Sequence, residues 1–128
     1  MRLLLDTHIA LAMVNGSFED QFPTVRRLLI ENIATGFVSV ASIWEIAIKS
    51  RLGKLATDIP VEQIPDFLRF SVLTILPIDI PHVITAAEPE PDTRDPFDRL
   101  LLAQCQVEGL QLVTIDRALV GHRLAFKF

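Results

Sequence analysis

The chain holds a single cysteine, Cys105. That excludes an intramolecular disulfide and suits a reducing cytoplasm, the expected location. No Cys/His cluster has the spacing of a zinc site. No apolar run approaches the length of a membrane span. The N-terminal one, Leu3-Leu4-Leu5, is cut off by Asp6, too early for a signal peptide. There is no glycine-rich phosphate loop, no internal repeat and no low-complexity tract. Ser39 and Ser42 lack the context of a nucleophile elbow. Positive charge is not in excess either: 12 Lys and Arg stand against 16 Asp and Glu, a net charge of −4. Such a balance does not advertise a nucleic-acid binder. Acids concentrated around bound cations would leave the remaining surface near neutral or basic, so composition neither supports nor excludes that partner.

Half of the 128 residues are apolar and 22% are charged, a globular composition with enough chain to bury a core. We expect one domain over residues 1–128. Unbroken apolar runs mark short buried strands at Leu3–Asp6, Phe37–Val40, Val72–Leu76 and Leu112–Thr114, with a fifth at Ala125–Phe128. Helices are expected over Thr7–Val14, Pro23–Asn32, Ala41–Leu52, Val61–Phe70, Ile80–Ala87 and Asp116–His122, with Asn15-Gly16-Ser17 a turn and Gly36 the break after the second helix. The firmest helix is Pro96–Glu108, with Asp95 as its cap, Pro96 as its first residue and Gly109 as its stop. Glu88-Pro89-Glu90-Pro91-Asp92 reads as an extended linker. Short strands alternating with helices argue for an α/β domain built on a central parallel sheet of about five strands.

Four carboxylates stand out because their neighbours are strongly apolar: Asp6, Glu45, Asp98 and Asp116. Asp6 and Asp116 end strands; Glu45 and Asp98 lie near helix starts. In a parallel sheet those positions share one edge, the edge where ligands bind. Each acid has a structural reading. Asp6 and Asp116 could cap the helices that follow, Ser42-x-x-Glu45 has the form of a capping box, and Glu45 with Lys49 is an ordinary i,i+4 ion pair. Capping does not account for flanks so apolar. Converging carboxylates repel one another and resist ionising, and a divalent cation removes both penalties. A shared metal pocket is therefore preferred to four separate caps. Asp95, before Pro96, is read as a cap. Thr7 and Thr114 sit beside the pocket and could orient a water or a carboxylate. His8, His82 and His122 show no mutual spacing for a metal, and Cys105 reads as core.

Lys49, Arg51 and Lys54 follow Glu45, while Arg94, Arg99 and Arg117 flank the other acids. Two readings stand. Cations favour helix C-termini, and a ring of cations around an acidic pocket would hold phosphates.

The assembled motifs resemble the PIN-domain ribonucleases, and within them the VapC-type toxins. The resemblance rests on Leu3-Leu4-Leu5-Asp6-Thr7-His8, on Val38 to Lys49 with its Ser42-Ile43-Trp44-Glu45 centre, on Arg94-Asp95-Pro96-Phe97-Asp98-Arg99, and on Leu112-Val113-Thr114-Ile115-Asp116-Arg117. It runs the length of the chain in order. It implies an acidic active site of Asp6, Glu45, Asp98 and Asp116, with Asp6 and Asp98 as direct ligands of Mg2+ or Mn2+ and the other two completing the pocket. It further implies endonucleolytic cleavage of RNA to 5′-phosphate and 3′-hydroxyl ends, homodimers, and a cognate VapB-like antitoxin that blocks the site. One departure is Pro91-Asp92-Thr93, where many relatives carry histidines, which bears on substrate preference. Two rivals are a PIN-like module used only for binding and an aspartate-based phosphatase or phosphotransferase with Asp6 as nucleophile. The second lacks the acid that haloacid-dehalogenase-like enzymes need two residues on, since His8 stands there.

Overall fold

A computed structural model describes residues 1–128. The first strand, β1 (Arg2–Leu5), runs into α1 (Thr7–Val14), a short α2 (Phe18–Gln21) and α3 (Pro23–Ile30). Then come β2 (Thr35–Ser39), α4 (Val40–Arg51), a 3-10 turn at Val61–Gln63, and α5 (Ile64–Phe70). The chain closes with β3 (Thr74–Leu76), α6 (Ile80–Ile84), α7 (Pro96–Glu108) and β4 (Gln111–Val113). All strands are parallel, in the order β3-β2-β1-β4.

The period-2 alternation of strand side chains feeds two cores, one on each face of the sheet. Leu3 and Leu5 of β1 enter a cluster with Ile9, Val25, Val38, Ile46 and Leu68. Leu4, between them, points the other way and packs with Leu101, Leu102, Cys105 and Leu112. Both β1 faces are sealed, which is why this strand reads as a continuous apolar run.

The α/β architecture with a parallel central sheet is as expected, with four strands rather than about five. Ala125–Phe128 makes a single bridge, Leu112 to Ala125, through Leu112 N–H to Leu124 O (2.8 Å) and Phe126 N–H to Leu112 O (2.8 Å). Asp116–His122 is a run of turns, not a helix. The N–H groups of Leu119 (2.9 Å) and Val120 (3.0 Å) both return to Asp116 O, closing turns that do not propagate. The helix expected over Ile80–Ala87 stops at Ile84, where the Thr85 hydroxyl donates back to Pro81 O at 2.6 Å. The first three residues of the expected Val61–Phe70 helix, Val61–Gln63, form the 3-10 turn. One turn, α2, was not anticipated; it buries Phe18.

Gly36 does not break α3. The chain leaves that helix through Asn32 at φ +57°, and Gly36 lies inside β2, where a Cβ would stand 2.5 Å from Leu73 Cδ2 and 2.9 Å from Leu29 Cδ2. Its role is close packing of α3 and the segment before β3 against the sheet. Gly109, at φ +69°, does end α7 as expected. No helix is long and apolar enough to cross a membrane.

Candidate metal centre

The strand order switches direction at β1, with β2 on one side and β4 on the other. Beyond the carboxyl ends of such a pair a crevice opens. Asp6 sits there: its N–H extends the ladder to Val113 O at 3.0 Å, and its Oδ1 accepts from Ile9 N–H at 3.1 Å to cap α1. It is 4% exposed. Burial raises its pKa above the usual carboxylate range, opposed by the Thr114 hydroxyl, the Ile9 and His8 N–H groups and the charge of His8.

Thr7 links Asp6 to the next acid. Its buried hydroxyl donates to Glu45 Oε1 at 2.7 Å and stands 3.1 Å from the Ser42 oxygen. The capping-box reading of Ser42 and Glu45 is corrected here. Helix α4 starts one residue earlier than expected, and its cap is Ser39, whose hydroxyl accepts from Ala41 N–H at 3.0 Å. Glu45 therefore lies in the second turn with its side chain turned inward, and its other oxygen, Oε2, accepts from Lys49 Nζ at 2.6 Å.

Asp98 is the third residue of α7. Asp95 caps that helix as expected, accepting from Phe97 N–H at 2.9 Å. The Asp98 carboxyl is half-buried, and its pKa is pushed up to about 6, first by burial and then by the charges of Asp95, Asp116 and Glu45. The Thr93 hydroxyl, 3.4 Å away, opposes the rise. Trp44 of α4 meets Phe97 of α7 edge-on, ring centroids 5.5 Å apart, which fixes the two acid-bearing helices against each other. Asp116, three residues past β4, donates its N–H to Thr114 Oγ1 (3.0 Å) and accepts from Ala118 N–H (2.8 Å), so it closes a turn rather than capping a helix.

The four acids thus come from four separate segments to one edge of the sheet, and Asp98 is raised by two of the other three. Asp95, read from the sequence as a cap rather than a ligand, is that cap and also adds a fifth charge that acts on Asp98. The Asp95-x-x-Asp98 spacing was the available signal.

A PIN domain family model matches residues 3–123. The chain belongs to the PIN domain family. Among solved structures it is similar to VapBC2 from Rickettsia felis, crystallised with a DNA fragment from its promoter, at a TM-score of 0.62 and 18% identity over 91% of this chain and 88% of that one. At that identity the likeness is one of fold. No curated protein matches. The family expected from the four motifs is the family found, and a PIN domain is a nuclease fold.

As the side chains stand, no group of three or more His, Cys, Asp or Glu residues is arranged to hold a metal ion. The reason is visible in their bonding. Both Glu45 oxygens are occupied, by Thr7 and Lys49, while Asp6 and Asp116 bind backbone N–H groups. The donor chemistry does fit a hard divalent cation. The acids and the flanking Thr7 and Thr114 present only oxygen, and the raised Asp98 marks an excess of negative charge that a cation would relieve.

The expected phosphate contacts differ in availability. Lys49 is at the acids. Arg99 is committed to the loop before α7, donating from Nε to Thr93 O at 2.8 Å and from Nη2 to Pro91 O at 3.4 Å, and pairing with Glu90. Arg51, Lys54, Arg94 and Arg117 are exposed and form no ion pair.

Proposed function

We propose that this PIN domain is a metal-dependent endoribonuclease, the toxin of a VapC-type pair. The observation that supports the reading is that Thr7, next to Asp6 at the end of β1, donates to Glu45 at 2.7 Å, while Asp98 feels the charges of Glu45 and of Asp116, which follows β4. Asp6 and Asp98 would hold Mg2+ or Mn2+ directly, with Glu45 and Asp116 completing the shell. The chemistry a bound ion supplies is Lewis acidity toward water and toward a phosphate oxygen.

The chain's own residues do the rest. Thr7 keeps Glu45 oriented and its carboxylate turned into the site. Thr114 holds the Asp116 backbone in place and lowers the proton affinity of Asp6. The exposed cations Arg51, Arg94 and Arg117, with Lys49 at the mouth, supply positive charge for the RNA backbone. Water is the attacking group, which leaves a 5′-phosphate and a 3′-hydroxyl. A second copy of the chain, a VapB-like antitoxin over the acidic edge and a cytoplasmic location belong to this reading.

Asp6 as a phosphoryl acceptor is disfavoured: it is almost wholly buried, and one oxygen caps α1. The test is incubation with defined RNAs in Mg2+ and in EDTA. Site-specific fragments with 5′-phosphate ends should appear in Mg2+ alone. Full cleavage in EDTA would remove the metal from the mechanism, and no cleavage of any RNA would favour the binding module.

A further inference from the structure

Asp98 feels the like charges of Asp95, Asp116 and Glu45, yet one cation already stands among these acids. Lys49 Nζ lies 2.6 Å from Glu45 Oε2. Of the six ion pairs in the molecule, this is the only one that involves any of the four acids. The pair is lopsided. The Glu45 side chain is 8% exposed and pinned by Thr7, whereas that of Lys49 is 41% exposed. The acid cannot leave; the ammonium, on a flexible stem at the mouth, can. Nor does Lys49 answer to Glu45 alone. The charges of Asp95 and Asp98, on α7, also act on it.

We propose that Lys49 is a tethered counter-ion that neutralises the acidic edge while no divalent cation is bound, and that it must release Glu45 when one enters. This rests on the metal-dependent reading above and goes further: a residue of the chain competes with the metal and sets how tightly it is held. An ordinary i,i+4 surface pair would have no such consequence, because both partners would be solvated and a nearby ion would displace neither. Here the carboxylate is buried, so it takes either the ammonium or the metal.

The test is calorimetric titration with Mn2+ of the wild type, Lys49→Gln and Lys49→Arg. Glutamine removes the charge and should tighten Mn2+ binding about fivefold or more, the factor that corresponds to a partly solvent-screened ion pair. Arginine keeps the charge and should stay close to wild type. Equal affinity in the wild type and Lys49→Gln overturns the proposal and leaves the nuclease reading standing. Weaker binding in Lys49→Gln overturns it too, since Lys49 would then organise the site. No Mn2+ binding by any of the three removes both readings. A measurement that needs no variant guards against a folding defect. In the wild type, the 15N resonance of the Lys49 ammonium should move on addition of Mg2+, as the ion pair opens. A resonance unchanged through millimolar Mg2+ also overturns the proposal.

Discussion

Two polar clusters in this molecule are built on opposite rules. Around α6 and α7, His82 is 1% exposed and each ring nitrogen has a complementary partner. Nδ1 accepts from Asp79 N–H at 2.9 Å, which places the ring proton on Nε2, facing Glu108 at 2.9 Å. His122 repeats the pattern with Leu124 N–H at 3.1 Å and Pro89 O at 2.7 Å. Donor meets acceptor throughout, apart from Gln104 Oε1, which is buried without a partner. At the β1/β4 edge, by contrast, Asp98 faces the like charges of Asp95, Asp116 and Glu45, and the one ammonium there pairs with Glu45. A cluster that holds a fold together is complementary within itself. A cluster left in surplus of one charge is not, and that difference separates the histidines from the acids proposed to hold a metal.

The comparison can be broken most sharply at Asp98. Asp98→Asn should keep the fold, by far-UV circular dichroism, and reduce RNA cleavage at least about 100-fold, the scale of losing one positioned catalytic group. Survival of activity would reduce Asp98 to a helix-start residue. Next in size is the complementary cluster. His82→Ala should lower stability by about 2–3 kcal/mol in denaturant titration, through the cavity and the unpaired Asp79 N–H, with Mn2+ affinity unchanged. A loss of metal binding there would join the two clusters into one system.

A smaller effect concerns the strain at the acidic edge itself. A carboxyl whose folded pKa is raised binds its proton more tightly in the folded state than in the unfolded one. For Asp98 the folded value is about 6 and the ordinary value 3.8. Its charged form therefore opposes folding above pH 6, and that penalty fades as pH falls through 6, vanishing below about 3.8. Without metal at pH 7, Asp98→Asn should thus be more stable than wild type by about 1 kcal/mol, a figure reduced for partial solvation. The gap should close toward pH 4 and on adding Mg2+ at pH 7, as read from melting temperatures. A destabilised Asp98→Asn at pH 7 would mean that the carboxylate supports the fold. Trp44→Ala should have the least effect, about 0.5 kcal/mol in denaturant titration, from the largely exposed contact with Phe97.

What could be seen in the sequence was what is local. Asp95, Pro96 and Gly109 bound α7 by chemistry confined to a few residues each, and β1 announces itself because both its faces are buried. What could not be seen depends on partners distant along the chain. Gly36 is small because Leu29 and Leu73 close over it, a tertiary demand that looks identical to a helix break in one dimension. Moving the cap from Ser42 to Ser39 converts Glu45 from a capping-box partner into an inward-facing acid, and the two serines look equally good as caps in the sequence. The i,i+4 spacing exposes the Lys49–Glu45 pair, but not the reach of Asp95 and Asp98 from another helix. Apolar residues between Asp116 and His122 imitate a helix where the backbone closes successive turns on Asp116 O instead. The four acids were legible because a charge set in apolar sequence needs a reason wherever it lands.

The most direct measurement is Mn2+ anomalous diffraction from crystals of the wild-type protein. The account predicts one strong peak at the β1/β4 edge, bound by carboxylate oxygens of Asp6 and Asp98 at about 2.0–2.2 Å, as for hard divalent ions, with Lys49 turned away from Glu45. A site without a peak at millimolar Mn2+, with Lys49 still paired to Glu45, would contradict it.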